Sequence, residues 1–286
     1  MSMIQMEYWK DFIMSNFLYK HRFYLSRRLV QITLLILFFG ANTYGWKIIT
    51  GDLSSSLIFG TIPLSDPYVT LQMFFAGALI TTNVFVGVTI IFFIYGVIGG
   101  RFFCSWVCPV NIITETALSL RKVLHLKEKE NAIAFSKNIR YWVLIVSLGL
   151  SYIFSLTAFD MISPIGITQR GIIFGFGFGW FFLLAIFLFD LFSQRYGWCG
   201  HICPLGGFNA IIGKYSLIKV VHDKDKCLYS MQCFEACPEV QVLDMVGKKS
   251  KAITGAECIK CGHCIEVCPG DAFKVSIVSL AQQIKG

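Results

Sequence analysis

Cys258-Ile-Lys-Cys261-Gly-His-Cys264-Ile-Glu-Val-Cys268-Pro269 decides how the C-terminal part of this chain folds. The spacing C-x2-C-x2-C-x3-C-P is a ligand run for a cubane iron–sulfur cluster. Three closely spaced thiolates wrap three corners of one cubane. The fourth, displaced by a helical turn and stopped by proline, reaches across to a second cluster. A structural zinc site needs two CxxC pairs separated by a longer insert, and this run does not supply them.

The run just upstream, Cys227-Leu-Tyr-Ser230-Met-Gln-Cys233-Phe-Glu-Ala-Cys237-Pro238, repeats the register with serine at the second ligand position. If the cysteines cross over as in two-cluster ferredoxins, Cys237, Cys258, Cys261 and Cys264 form a site of four thiolates. Cys227, Cys233 and Cys268 then form the other, with Ser230 at the missing corner. Serine ligation, water on the fourth iron, loss of that iron, and a silent serine beside an intact four-iron cluster all stay open. The expected cofactors are therefore one 4Fe-4S cluster and a second that is 4Fe-4S or 3Fe-4S. Val240, Val242, Leu243, Met245, Val246 and Ile253 supply short strands between the runs, and Ala272–Val275 supplies another after them. This predicts a (βαβ)2 ferredoxin-like α+β domain over 216–286. Such a small core leans on cluster binding for its folding energy.

Outward from this domain the composition changes. Of 286 residues, 55% are hydrophobic and only 15% charged, against about 25% in soluble proteins. Apolar runs over Leu29–Trp46, Leu71–Ile98, Tyr141–Phe159 and Ile172–Phe192 are long enough to cross a bilayer. The basic residues ahead of Leu29 suit an uncleaved first helix better than a removed leader. Lys10, Lys20, Arg22, Arg27 and Arg28 precede the first run. Arg101, Arg121, Lys122, Lys127, Lys129, Lys137 and Arg140 follow the second, and the other two links are poor in cations. The positive-inside rule then predicts a membrane all-α domain of four transmembrane helices, N-in and C-in. Its boundaries are 29–215, after a cytoplasmic segment over 1–28. The formal charge of +8 reflects this asymmetry rather than nucleic-acid binding. Gly171, Gly175 and Gly179 form a small-residue face on the fourth span, suited to close helix packing.

Four of the 11 cysteines remain. Arg101-Phe-Phe-Cys104-Ser-Trp-Val-Cys108-Pro109 follows the second run, and Arg195-Tyr-Gly-Trp-Cys199-Gly-His-Ile-Cys203-Pro204 follows the fourth. Both are C-x3-C-P with an arginine shortly before, at equivalent places. A spacing of four puts both thiols of a pair on one helical face. Four thiolates for a further cluster, a cycling dithiol, and reduced structural thiols are the alternatives. No Cys-x-x-Cys-His occurs, which excludes covalent c-type haem.

Four spans, two C-x3-C-P motifs and a C-terminal two-cluster domain together resemble the NapH family over essentially the whole chain. Cys237-Pro-Glu-Val-Gln-Val-Leu243 is similar to the family's Cys-Pro-Glu-x-Gln-Val-Leu. The family is the membrane quinol dehydrogenase subunit of periplasmic nitrate reductase systems. The resemblance implies that Cys227, Cys233, Cys237, Cys258, Cys261, Cys264 and Cys268 are cluster ligands. Ser230 stands where the family usually has cysteine. Cys104, Cys108, Cys199 and Cys203 are its membrane-edge motif. It also implies a multi-pass protein of the bacterial inner membrane with its cluster domain on the cytoplasmic side. Membrane quinol would donate electrons toward a NapG-like periplasmic partner and nitrate reductase, and the chain would not be catalytic alone. Quinol oxidation needs a proton acceptor near an apolar pocket, for which His201, Asp190, Asp160 and Asp66 are the candidates. The rival readings are a maturation factor for another respiratory or methylamine-utilising enzyme, and a redox sensor. Maturation-type relatives often carry extra spans or soluble domains.

Overall fold

The computed structural model describes residues 20–126, 136, 138–175 and 177–278. Lys10, Lys127, Lys129 and Lys137 of the charge argument lie outside them. Helix α1 (Arg22–Tyr44) opens before the expected start at Leu29 and closes on Gly45 in the left-handed region. Its 23 residues are long and apolar enough to cross a membrane. A three-stranded antiparallel sheet follows, β1 (Ile49–Gly51), β2 (Ser55–Ile58) and β3 (Ile62–Ser65), in that order.

The other three expected spans are each cut short. Leu71–Ile98 is two helices, α2 (Pro67–Phe75) and α3 (Thr82–Ile98), separated by Gly77 at φ 77°. Tyr141–Phe159 is α6 (Ile139–Phe154), stopped by Ser155 at φ 53°, and then α7 (Ala158–Ile162). Ile172–Phe192 is the end of α8 (Pro164–Phe174), a break with Gly175 at φ 88° and Gly177 at φ 46°, and α9 (Gly179–Phe192). The expected glycine face is therefore no face, because Gly175 ends one helix and Gly179 begins the next. Hydropathy reports which solvent a segment tolerates, whereas a positive φ, free for glycine, decides where the helix stops. At 17 residues α3 is about 25 Å long, short of the ~30 Å hydrocarbon core.

The two halves repeat one plan. Asp66-Pro67 opens α2, and Ser163-Pro164 opens α8. Each of these helices ends near a positive-φ glycine and is followed by a longer apolar helix and a C-x3-C-P turn. The first turn is α4 (Phe102–Trp106), leading into α5 (Val110–Val123). The second is a π turn over Trp198–Ile202, leading into α10 (Pro204–Gly213). The halves meet closely at glycine. A Cβ on Gly100 would lie 2.1 Å from the Asn209 carbonyl oxygen, and one on Gly213 would lie 2.7 Å from the Gly100 nitrogen.

The small C-terminal domain is built on β4 (Ile218–His222), paired antiparallel with β5 (Lys251–Ala252) and β6 (Phe273–Ile277). Two one-turn helices, α11 (Gln232–Ala236) and α12 (His263–Glu266), carry cysteines. Of the short strands expected between the two cysteine runs only β5 is present, and Val240–Leu243 is a 3-10 turn, so among the described residues the sheet has three strands and not the four of a (βαβ)2 repeat. Val242 and Leu243 are buried there as plugs against Val220, Ile253 and Phe273. The apolar pattern is thus satisfied by packing, without a ladder.

Candidate metal centres

Two cavities of about 20 Å³ are each walled by four cysteines. The first is lined by Cys237, Cys258, Cys261 and Cys264. Cys237 follows α11, while Cys261 and Cys264 flank Gly262, whose φ of 79° turns the chain tightly enough to bring them together. Burial pushes the Cys261 thiol up to about 12 and raises Cys237, Cys258 and Cys264 as well. Four thiols so placed, Cys261 and Cys264 buried and Cys237 and Cys258 half-buried, fit a metal group, because coordinated iron supplies the positive charge that burial withholds.

Cys227, Cys233 and Cys268 make a more open set. Cys233 lies within electrostatic reach of both others, and Cys268 Sγ accepts the Ala272 N–H at 3.3 Å. Ser230 is exposed, between Tyr229 and Met231, both in the left-handed region.

The second four-cysteine cavity is lined by Cys104, Cys108, Cys199 and Cys203, one pair from each half. Its other walls include Phe103, Phe159, Ile165 and Leu205. Burial raises all four thiols, Cys203 to about 11. The Thr114 hydroxyl sits 3.6 Å from Cys199 Sγ. Asn209 holds the place after Cys203 that Thr114 holds after Cys108. It is fully buried, and neither of its side-chain polar atoms has a partner. An apolar chamber lined by four thiols, the same size as the first, fits an iron–sulfur group. A lone dithiol pair needs no such chamber.

The two cavities are locked together by charges. Arg101 Nη1 donates to Glu239 Oε1 and to the Glu257 carbonyl, both at 2.7 Å, and Nη2 reaches the Cys199 carbonyl at 3.3 Å. Arg140 reaches the same Glu239 oxygen at 3.3 Å. Ser105 Oγ donates to the Ile259 carbonyl at 2.6 Å, and Trp106 Nε1 to that of Lys260 at 3.1 Å. The neighbours of Cys104 thus hold the neighbours of Cys258. In the other half Arg195 donates to the Glu235 carbonyl, between Cys233 and Cys237. Helix α1 joins the lock: Arg27, fully buried, donates to Glu115 at 2.8 Å and to His263 at 2.7 Å. Burial, then Arg27, brings His263 down to about 4, so its ring is neutral and accepts.

Arg27, Arg101 and Arg140, counted above among the basic residues flanking the apolar runs, are buried ion-pair partners. The candidate proton acceptors are scattered. His201 pairs with Gln194 at 2.9 Å in the π turn. Asp190 accepts the Trp198 N–H at 3.1 Å, and Asp160 accepts from Ser54 at 2.8 Å. Asp66 caps α2 and lines a separate cavity of about 230 Å³. Sequence reasoning missed Glu239, Ser105, Thr114 and Asn209. The arginines ahead of each pair were the one available signal for the lock.

Two four-cysteine chambers, one of them in a small antiparallel domain, define a ferredoxin-type iron–sulfur protein. A 4Fe-4S binding domain family matches residues 80–127 and again 174–222, each stretch holding one C-x3-C-P pair. A 4Fe-4S dicluster domain family matches 219–269. The ferredoxin-type protein NapH of Haemophilus influenzae is 39% identical over 263 residues, 90% of this chain and 91% of its own length. NapH of Escherichia coli is 39% identical over 90% of each chain. The methylamine utilization ferredoxin-type protein MauN of Methylorubrum extorquens is 36% identical, also over 90% of each. No solved structure matches. The chain belongs to the NapH family of ferredoxin-type electron-transfer proteins, with MauN among its close relatives. The match covers 90% of MauN, contrary to the expectation that extra spans or soluble domains set such relatives apart.

Proposed function

We propose that this chain takes electrons from a membrane quinol and passes them through iron–sulfur centres toward a periplasmic reductase system, with nitrate as the terminal acceptor. The observation that carries the reading is the pair of four-cysteine chambers joined through Arg101 and Ser105. Bound clusters supply one-electron carriage. The chain's residues supply thiolate ligands, an apolar lining and a fixed spacing between sites. Cys104, Cys108, Cys199 and Cys203 hold a third centre. Cys237, Cys258, Cys261 and Cys264 hold a 4Fe-4S cluster. Cys227, Cys233 and Cys268 hold one that lacks a thiolate at Ser230.

The large apolar side chains left exposed on α3, α6 and α9, such as Phe93, Ile153 and Phe181, support burial in lipid. With α1 they make four membrane helices of an inner-membrane protein, the cysteine domain on the cytoplasmic side and a NapG-like partner outside. The test is anaerobic titration of the purified protein in lipid nanodiscs with a quinol analogue, read by EPR. Cluster reduction is expected. Clusters that stay oxidised, together with intact nitrate respiration in a deletion strain, refute the proposal.

The match to MauN favours a second reading, in which the same chain serves methylamine utilization. Growth of the deletion strain on nitrate and on methylamine separates the two.

A further inference from the structure

We infer that the cavity between the β1–β3 sheet and α3 is the quinol site, and that Asp66 is its proton acceptor. This rests on the proposal above that a quinol is the donor.

The cavity holds about 230 Å³, against about 20 Å³ in each cysteine chamber, so it is the one of these three that can admit an organic ring. Its walls are apolar, from Phe38, Ile91, Ile94 and Phe103, with Asp66, Ser65 and Tyr95 as polar points. An apolar cavity with a few polar groups in its wall suits a quinol head. Ile94 lines it and is 39% exposed, which opens the slot toward the apolar exterior of α3.

Phe103 belongs to the walls of both this cavity and the chamber of Cys104, Cys108, Cys199 and Cys203. Its ring lies 6.4 Å from that of Tyr95, and Cys104 is the next residue. A molecule in the slot is therefore one side chain away from the nearest thiols.

Asp66 is 7% exposed. One carboxylate oxygen accepts the Tyr68 and Val69 N–H groups, at 2.8 and 3.1 Å, as the cap of α2. A carboxylate has a second oxygen with which to take a proton. Tyr68 from α2, Tyr95 from α3 and Asp160 from α7 are the titratable groups that face it. Burial, partly offset by those two N–H bonds, lifts its carboxyl to about 6, within the working range of a base. The backbone of Asp66 is anchored as well. Asp66 N–H donates to the Ser54 carbonyl at 2.9 Å, and Ser54 Oγ donates to Asp160 at 2.8 Å.

Oxidising one quinol to quinone breaks two O–H bonds and releases two electrons and two protons. Clusters held by the cysteine sites would take the electrons one at a time. The protons leave in turn, each taken up by the second oxygen of the Asp66 carboxylate and given on to water before the next.

The test uses the full, cluster-loaded chain in nanodiscs, as wild type and as Asp66→Asn. Asparagine also caps a helix, so α2 keeps its start. A photoreactive azidoquinone should label peptides from residues 49–66 or 82–98 equally in both proteins. Reduction of the clusters by a soluble quinol should fall about 100-fold in the variant. The wild-type rate should rise with pH through about 6, because only ionised Asp66 accepts a proton, and the variant should lose that rise. A label that maps elsewhere, or a variant with the wild-type rate and pH profile, overturns this inference alone. Wild-type clusters that quinol leaves oxidised overturn the donor reading and this site with it.

Discussion

Glu239 shows what one side chain does in this molecule. It is 2% exposed and receives two guanidinium groups, from Arg101 and Arg140, that are just as buried. Removing one partner from such a network leaves a charge without compensation, at a cost of about 3–5 kcal/mol. Glu239→Gln should therefore lower the unfolding free energy by about that amount, read as a lower unfolding midpoint, and expose the C-terminal domain to trypsin. An unchanged midpoint would mean that the arginines find other partners. In the sequence Glu239 reads only as part of the Cys-Pro-Glu motif, and the two arginines read as topology signals. Charge counting along a chain does not see which cations fold inward. Ser230, by contrast, was legible at once, because its partners are set by spacing. It is exposed beside a three-cysteine set, and the oxidised protein should give a three-iron EPR signal that disappears in Ser230→Cys. Identical spectra from the two proteins would speak for a four-iron cluster without a fourth thiolate.

At the scale of elements, the chain is built of half-length helices as much as of spans. Helices α2 and α8 start on Asp66-Pro67 and Ser163-Pro164 and end near Gly77 and Gly175. Proline at the first turn is pre-set for helix, and glycine is free to leave it. Both signals were present in the sequence, but the apolar runs continue across them, and so hydropathy merges two elements into one. The cysteine pairs did not suffer this, because a C-x3-C-P repeat is read from spacing and not from an average. Positive φ at Gly175 makes the break testable. Gly175→Ala should destabilise the protein by about 1–3 kcal/mol, read as a lower melting temperature in nanodiscs. A wild-type melting curve would count against a left-handed turn there. The C-terminal strands split the same way: β6 was expected and is present, while Val240–Leu243 plugs the core as a turn.

For the molecule as a whole, the sites lie in a line fixed by contacts. The slot of Asp66 and Tyr95 shares Phe103 with the chamber formed by both halves. That chamber joins the four-thiolate cavity through Arg101 and Ser105. The four-thiolate cavity in turn shares a core with Cys227, Cys233 and Cys268. A chain with this order predicts different losses for different electron donors. Replacing Cys104 and Cys199 by alanine removes one thiol from each half and should remove about a third of the bound iron, one of three centres. The C-terminal cysteines are untouched by this change, so their clusters should assemble and accept electrons from dithionite, which reaches them from solvent. They should no longer accept electrons from a quinol, whose nearest centre is gone. The two donors thus read the same clusters by two routes. If quinol still reduces them in the double variant, the four cysteines of the two halves hold the fold together and carry no current.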